Sequence, residues 1–206
     1  MAETGIGAAT DVETPHGPAR VHLRRPERPA ALLLLGHGAG GGVETPDLLA
    51  ASATAVDAGC AVGLVEQPYR VAGRRSPAPA KQLDAAWTAV VESLTPGNPT
   101  LPLIVGGRSL GARVACRTAR ETGASAVLCL AFPVHPPGKP ERSRQDELDA
   151  VTVPTLVVQG TSDPFGMPEP GPNRRVVRVA GNHGLNADVD AVRAAVADWL
   201  PGVIPS

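Results

Sequence analysis

The sequence predicts an α/β fold: a doubly wound, mostly parallel sheet of about 6–8 strands. Two observations carry that prediction. Short apolar runs alternate along the chain with segments of helical periodicity, and the runs are continuous rather than alternating, the mark of strands covered on both faces. A third observation fixes the working edge of the sheet. Gly- and Pro-rich loops, such as Arg70–Pro79 and Pro133–Glu141, leave the carboxyl ends of the predicted strands, where sheets of this kind bind ligands.

The elements follow in order. Arg20–Arg24 reads as a short strand, paired with Val12–Thr14 through a turn at Pro15-His16-Gly17. Ala31–Leu35 is a buried strand. Thr45-Pro46 supplies an N-cap and a proline at the first helical position, opening a helix through about Ala58, with Gly59 behind it. Ala61–Glu66 is a second buried strand. Pro79–Leu94 carries apolar residues at helical spacing (Leu83, Trp87, Val90, Val91, Leu94) and stops before Pro96-Gly97. Leu101–Val105 is a strand, Ala112–Glu121 a helix closed by Gly123, and Ala126–Phe132, Thr155–Gln159 and Val176–Val179 are further strands. Asp188–Leu200 ends the pattern as an amphipathic helix with Val192, Val196 and Leu200 on one stripe.

At 206 residues and 21.0 kDa the chain is read as one domain, residues 1–206. Met1–Asp11 has neither a basic start nor a sustained apolar stretch, so it is read as a flexible, frayed end and not as a signal peptide. Nineteen basic and 20 acidic residues nearly cancel, giving a net charge of −1. That balance argues against nucleic acid and anionic membranes as partners. Aromatics make up 2% of the chain, too few for stacking on bases. No apolar run approaches the ~18 residues a membrane helix needs. Cys60, Cys116 and Cys129 lie in or beside apolar stretches without C-x-x-C spacing, which reads as buried, reduced thiols and a cytoplasmic location.

Gly36-His37-Gly38-Ala39-Gly40-Gly41 fits the G-x-G-x-x-G pattern of a dinucleotide-binding turn. Such a turn needs its third glycine at the start of the helix, so that the amides face pyrophosphate. Here the helix cannot start before Pro46, well past Gly41. Glu66, placed where a ribose ligand would sit, comes later than the usual spacing of about 20 residues. A lone match is also weak in a chain with 23 glycines. The competing reading is a backbone wall that donates N–H groups to an oxyanion, where glycine leaves room for a carbonyl to approach.

Gly107-Arg108-Ser109-Leu110-Gly111 favours that second reading. It is G-x-S-x-G directly after a buried strand and directly before a helix. A serine on that sharp, strained turn presents Oγ above the sheet, and small residues two positions either side let strand and helix approach. A hydroxyl also needs an oriented base. Asp163 follows the strand Thr155–Gln159, and His183 follows Val176–Val179. Each has a plain alternative, since Asp163 before Pro164 suits a turn and His183 suits a surface loop. The chain order Ser109, Asp163, His183, each after its own strand, is that of a Ser-Asp-His triad. The oxyanion donors are then the N–H groups of Ala39 and Leu110, with His37 a hydrogen-bonding strut of its loop. Arg108 has two readings: a substrate-binding group facing an acidic substrate, or a surface ion-pair partner.

The stretches "GHGAGG", "GGRSLGARVA", "FPVHPPGKPERSR" and "VPTLVVQGTSDPFG" resemble the α/β-hydrolase superfamily on its dienelactone-hydrolase side. More narrowly, they are similar to the small hydrolase-like domain of testis-expressed proteins and of regulatory subunits of NSL histone-acetyltransferase complexes. The resemblance spans Ala31 to Leu185 and departs at Ala112, where relatives often carry a second glycine. It implies a lidless α/β-hydrolase fold without a cap domain and a serine triad at Ser109, Asp163 and His183. It leaves the substrate open, and some relatives act mainly as interaction domains. The expectation is therefore a serine hydrolase of small esters or thioesters that uses no cofactor or metal, with a non-catalytic binding module as the alternative. Oligomeric state stays open.

Overall fold

Leucines at 32 to 35 point alternately to the two faces of a strand, so the run Leu32–Leu35 can be apolar throughout only if both faces are covered. The computed structural model, which describes residues 6–96 and 101–205, has that arrangement. In β3 (Leu32–Gly36), Leu32 and Leu34 enter one core and Leu33 and Leu35 the other. The three leucines at 33, 34 and 35 are 0% exposed, each stabilising the fold by about 1.5–3 kcal/mol relative to exposure.

The remaining elements are β1 (Ala8–Val12), β2 (Ala19–Arg24), α1 (Pro46–Asp57), β4 (Ala61–Glu66), α2 (Pro68–Val71), α3 (Ala80–Leu94), β5 (Leu103–Arg108), α4 (Leu110–Thr118), β6 (Ala126–Leu130), α5 (Gln145–Asp149), β7 (Thr155–Gly160), β8 (Arg174–Val179) and α6 (Val189–Trp199). Among the described residues the sheet has eight strands in the order β1-β2-β4-β3-β5-β6-β7-β8. The pairs β1–β2 and β2–β4 are antiparallel and all others parallel. Helices α1 and α6 pack together over one face, with Leu48 and Val192 in their core. On the other face α3 lies against α4, burying Trp87, Val90 and Val114. The chain steps outward from β3 to β4, then crosses back past β3 to form β5. The loops after β3 and β5 therefore diverge, opening a crevice at the carboxyl edge.

The predicted elements are present, with boundary shifts and three differences. The antiparallel edge pairs Ala8–Val12, rather than Val12–Thr14, with Ala19–Arg24 in the register Val12↔Ala19. Pro15 and Pro18 have no N–H to give a ladder, so the turn widens and pairing begins only at Val12. Two hydrogen bonds between Thr14 and Gly17 close that turn instead: Gly17 N–H donates to the Thr14 carbonyl at 3.2 Å, and the Thr14 hydroxyl donates to the Gly17 carbonyl at 2.6 Å. Ala8–Asp11 of the expected frayed end is thus strand, while the first five residues of that end and Gly97 lie outside the described residues. Two short helices, α2 and α5, occupy expected loops. They are too brief for helical periodicity to register. All three cysteines are buried and free, and Cys116 and Cys129 sulfurs lie 3.5 Å apart. Their mutual contact and burial push the Cys116 thiol well above its ordinary value.

Candidate active site

Strand β5 ends at Arg108 and helix α4 begins at Leu110, so Ser109 alone makes the turn, with φ 53° and ψ −107°. Positive φ in a residue with a Cβ is strained by about 1–3 kcal/mol. The turn is tied down by Ser109 N–H, which donates to the Leu130 carbonyl at 2.9 Å. Close approach below it depends on glycines. A Cβ on Gly107 would lie 2.9 Å from both Gly36 N and Gly111 C, and one on Gly111 would lie 2.5 Å from Gly36 C. Backbones of β3, β5 and α4 meet there with no room for a side chain.

Asp163 and His183 arrive from two loops that are also packed through a glycine. A Cβ on Gly160 would come within 2.6 Å of the Gly181 carbonyl oxygen, so the bare Cα lets the His183 loop lie on the end of β7. Ser162 N–H donates to that same carbonyl at 2.9 Å. The result is a continuous chain: Ser109 Oγ lies 2.9 Å from His183 Nε2, and His183 Nδ1 lies 2.8 Å from Asp163 Oδ2. A carboxylate only accepts, so Nδ1 carries the ring hydrogen and Nε2 is left to accept from the serine hydroxyl. The Asp163 side chain is fully buried and that of His183 is 16% exposed.

Residues that the motif did not single out hold these groups. Gln159, in the buried strand β7, donates through Nε2 to Asp163 Oδ2 at 2.8 Å and to the carbonyls of Gly166 and Phe132 at 2.9 and 3.1 Å. Phe165 N–H donates to Asp163 Oδ1 at 2.9 Å, and its ring lies 4.2 Å from the His183 ring, centroid to centroid. A polar residue in "TLVVQG", and one of only two phenylalanines in the chain, were the signals available.

The Gly38–Ala39 loop sits against the serine: a Cβ on Gly38 would be 3.6 Å from Ser109 Cβ. His37 Nδ1 donates to the Gly38 carbonyl at 2.7 Å, and Gln67 N–H donates to His37 Nε2 at 3.1 Å. In a trans peptide C=O and N–H point opposite ways, so anchoring the Gly38 carbonyl aims the Ala39 N–H away from His37. Tyr69 O–H, from the sole tyrosine, donates to the Ala39 carbonyl at 3.1 Å and clamps the other side. Burial pushes the Tyr69 phenol up to about 12 and the His37 imidazole below its ordinary value. Leu110 N–H is the first amide of α4, one of the orphan donors every helix start presents. Among the described residues neither the Ala39 nor the Leu110 N–H donates to another group.

Glu66 and Arg108 both find partners within the protein. Glu66 accepts from or pairs with His22 Nε2 at 2.7 Å, which accounts for its place at a strand end without any ribose. Arg108 turns inward and does not pair at the surface. Its side chain is 16% exposed, with Nε 2.9 Å from the wholly buried carboxylate of Asp47, and Nη2 donates to the His183 carbonyl at 2.9 Å. The Asp47 contact is an ion pair without an aligned hydrogen bond, since neither Asp47 oxygen nor Arg108 Nε has a hydrogen-bond partner of good geometry. Asp47, in the first turn of α1, was not singled out by the sequence. Among the described residues no cluster of three or more His, Cys, Asp or Glu side chains could hold a metal ion, and no helix is long and apolar enough to cross a membrane.

A serine at the apex of a strand–turn–helix, on a doubly wound sheet of this order and without a cap, defines the α/β-hydrolase class. The chain belongs to the Alpha/beta hydrolase domain family, whose model matches residues 29–177. No curated protein sequence matches it. Among solved structures it is similar to a lidless α/β serine hydrolase from Xanthomonas campestris (22% identity, TM-score 0.78, covering 97% of this chain and 95% of that one). It is also similar to Est1E from Butyrivibrio proteoclasticus (17% identity, TM-score 0.77, 94% and 98% covered). A third is a dienelactone hydrolase from Anabaena variabilis (18% identity, TM-score 0.73, 96% and 98% covered). At these identities the likeness is one of fold.

Proposed function

We propose that the protein is a serine hydrolase that cleaves small carboxylic esters or thioesters through an acyl-enzyme on Ser109. The observation that carries this reading is the unbroken contact from Ser109 Oγ through His183 to the buried Asp163 carboxylate, at 2.9 and 2.8 Å, beside the first amide of α4. Ser109 Oγ attacks the carbonyl carbon while His183 Nε2 takes its proton. The oxyanion that forms accepts from the N–H groups of Ala39 and Leu110. The bond to the leaving oxygen or sulfur breaks as His183 returns the proton to it. Water then attacks the acyl-enzyme, giving one proton to His183 and releasing the acid as Ser109 recovers its hydrogen. Asp163 keeps His183 in the tautomer the first step needs. The residues of the chain suffice for every step.

The Pro133–Pro154 connection supports an open site, because α5 packs against α4 instead of forming a cap. The partner is a small molecule, and the buried, free thiols are in keeping with the cytoplasm. The motif "HPPGKP" keeps the narrower likeness to testis-expressed and NSL-complex hydrolase-like domains, some of which serve interaction and not turnover. One experiment separates the two roles. The purified protein is treated with a fluorophosphonate probe and screened against p-nitrophenyl esters of increasing acyl length, alongside Ser109→Ala. Labelling and hydrolysis by the parent, both reduced by orders of magnitude in Ser109→Ala, are expected. A folded parent that neither labels nor turns over, or a Ser109→Ala protein as active as the parent, overturns the hydrolase reading.

A further inference from the structure

The three nitrogens of the Arg108 guanidinium each meet a different segment of the site. Nε faces the Asp47 carboxylate on α1 at 2.9 Å, and Nη2 donates to the His183 carbonyl at 2.9 Å. Nη1 fills the space beside Gly38, where a Cβ would come within 2.8 Å of it. Arg108 also directly precedes Ser109. One planar cation thus touches the wall loop, the loop that carries the base and the first turn of α1, from the turn that carries the hydroxyl.

The pairing with Asp47 is unusual in its burial. Asp47 is 0% exposed, and its two oxygens lack hydrogen-bond donors among the described residues. A buried carboxylate in that state is held by its counter-charge and by the favourable end of its own helix. It costs stability unless something is gained elsewhere. What it provides is a fixed orientation for the guanidinium: with Nε turned to Asp47, the planar fork aims Nη2 at the His183 carbonyl.

We infer that Arg108, oriented by Asp47, is a positioning residue that registers the His183 loop against the Ser109 turn. The inference rests on the hydrolase reading for its effect on rate, but not for its effect on geometry. Holding the carbonyl of His183 sets the height of the ring, and with it the distance from Nε2 to Oγ. A shift of 1 Å in such a distance costs about 10²-fold in rate. Nε and Nη2 are both engaged within the protein, so the loss is expected in kcat and not in KM. Lysine cannot substitute: its single ammonium can meet Asp47 but cannot also present a second, rigidly placed donor to the carbonyl.

The test compares the parent with Arg108→Lys and with the paired variant Asp47→Asn/Arg108→Gln, which removes both charges and leaves neither buried alone. Three quantities are read: the melting temperature, kcat and KM for the best p-nitrophenyl ester, and the Nε2–Oγ distance in crystals. Arg108→Lys should fold, keep KM and lose about 10- to 100-fold in kcat, with His183 displaced from Ser109. The paired variant should melt near the parent and show the same loss and displacement. If either variant folds with parental kcat and the parental 2.9 Å contact, the inference is overturned. A parent that cleaves no ester overturns the proposed function alone, because the crystallographic distance in the variants still decides whether Arg108 places His183.

Discussion

Ser109 is held at φ 53°, in the left-handed region that favours glycine. Its Cβ therefore adds strain while its Oγ does the chemistry assigned to it. Ser109→Ala keeps the Cβ and should melt close to the parent, whereas Ser109→Gly removes it and should be as stable as, or up to ~1 kcal/mol more stable than, Ser109→Ala. Both should be inactive. Thermal melts of the two purified variants check the order, and a Ser109→Gly protein well below Ser109→Ala would show the turn to be unstrained. The Ser109–His183–Asp163 contact was legible in the sequence because each residue stands in the turn or loop that follows a strand, and strand ends are a local feature. Gln159, Phe165 and Asp47 were not. Their roles depend on which backbone carbonyl or carboxylate lies opposite them, and that is decided only when β7, α1 and the two loops are packed.

The loop after β3 illustrates what an element gains from its neighbours. His37 is buried and bonds two backbone groups, and burial lowers its pKa below the ordinary 6.5, partly offset by the bond to the Gly38 carbonyl. In the unfolded chain it binds a proton at about 6.5, while in the folded protein it does so only at lower pH. Stability should therefore be level above pH 6.5 and fall as pH drops below it. Asp11 and Asp149 are lowered from 3.8, first by hydrogen bonds from Arg20 and Gln145, so the stability they contribute is present throughout this range and is lost only in more acid solution. Melting temperatures at pH 7.5 and 5 should differ for the parent and differ less for His37→Gln. A parent with the same midpoint at both would contradict the assignment. Gly107 makes the matching case for β5 and α4: Gly107→Val should lose activity through misfolding, visible as a lowered melting temperature or insoluble protein, because its side chain meets Gly36 and Gly111 backbone. At this scale the long elements were readable from periodicity. The edge strand was not, since two prolines moved its register, and α2 and α5 are too short to show a period.

For the molecule as a whole, one sheet serves two cores. Trp87 is buried on the α3–α4 face and Trp199 on the α1–α6 face, and these are the only two tryptophans in the chain. Each therefore reports on one face. Trp87→Phe and Trp199→Phe leave single fluorophores, and their denaturant transitions should each coincide with the loss of helical circular dichroism, because the shared strands make the faces unfold together. A fluorescence midpoint well apart from the circular-dichroism midpoint in either variant would mean that one face opens alone. The doubly wound character of the fold was visible in the continuous apolar runs. The strand order was not, because the return of the chain past β3 to form β5 leaves no mark in local sequence.

The meeting of Gly36, Gly107 and Gly111 has a consequence for anyone who sets out to change what this protein acts on. Three backbones share one small space, and a side chain at Gly107 or Gly111 would meet only backbone there, so neither position can be enlarged by trimming a neighbour. A randomised library there would return almost only the parent. The freedom to diversify lies in the long connections after β4 and β6, around Arg70–Pro79 and Pro133–Arg144, where much of the backbone faces water and stands clear of the strand–helix crossing. Engineering by recombination would do best to graft those two loops and leave the glycine junction whole.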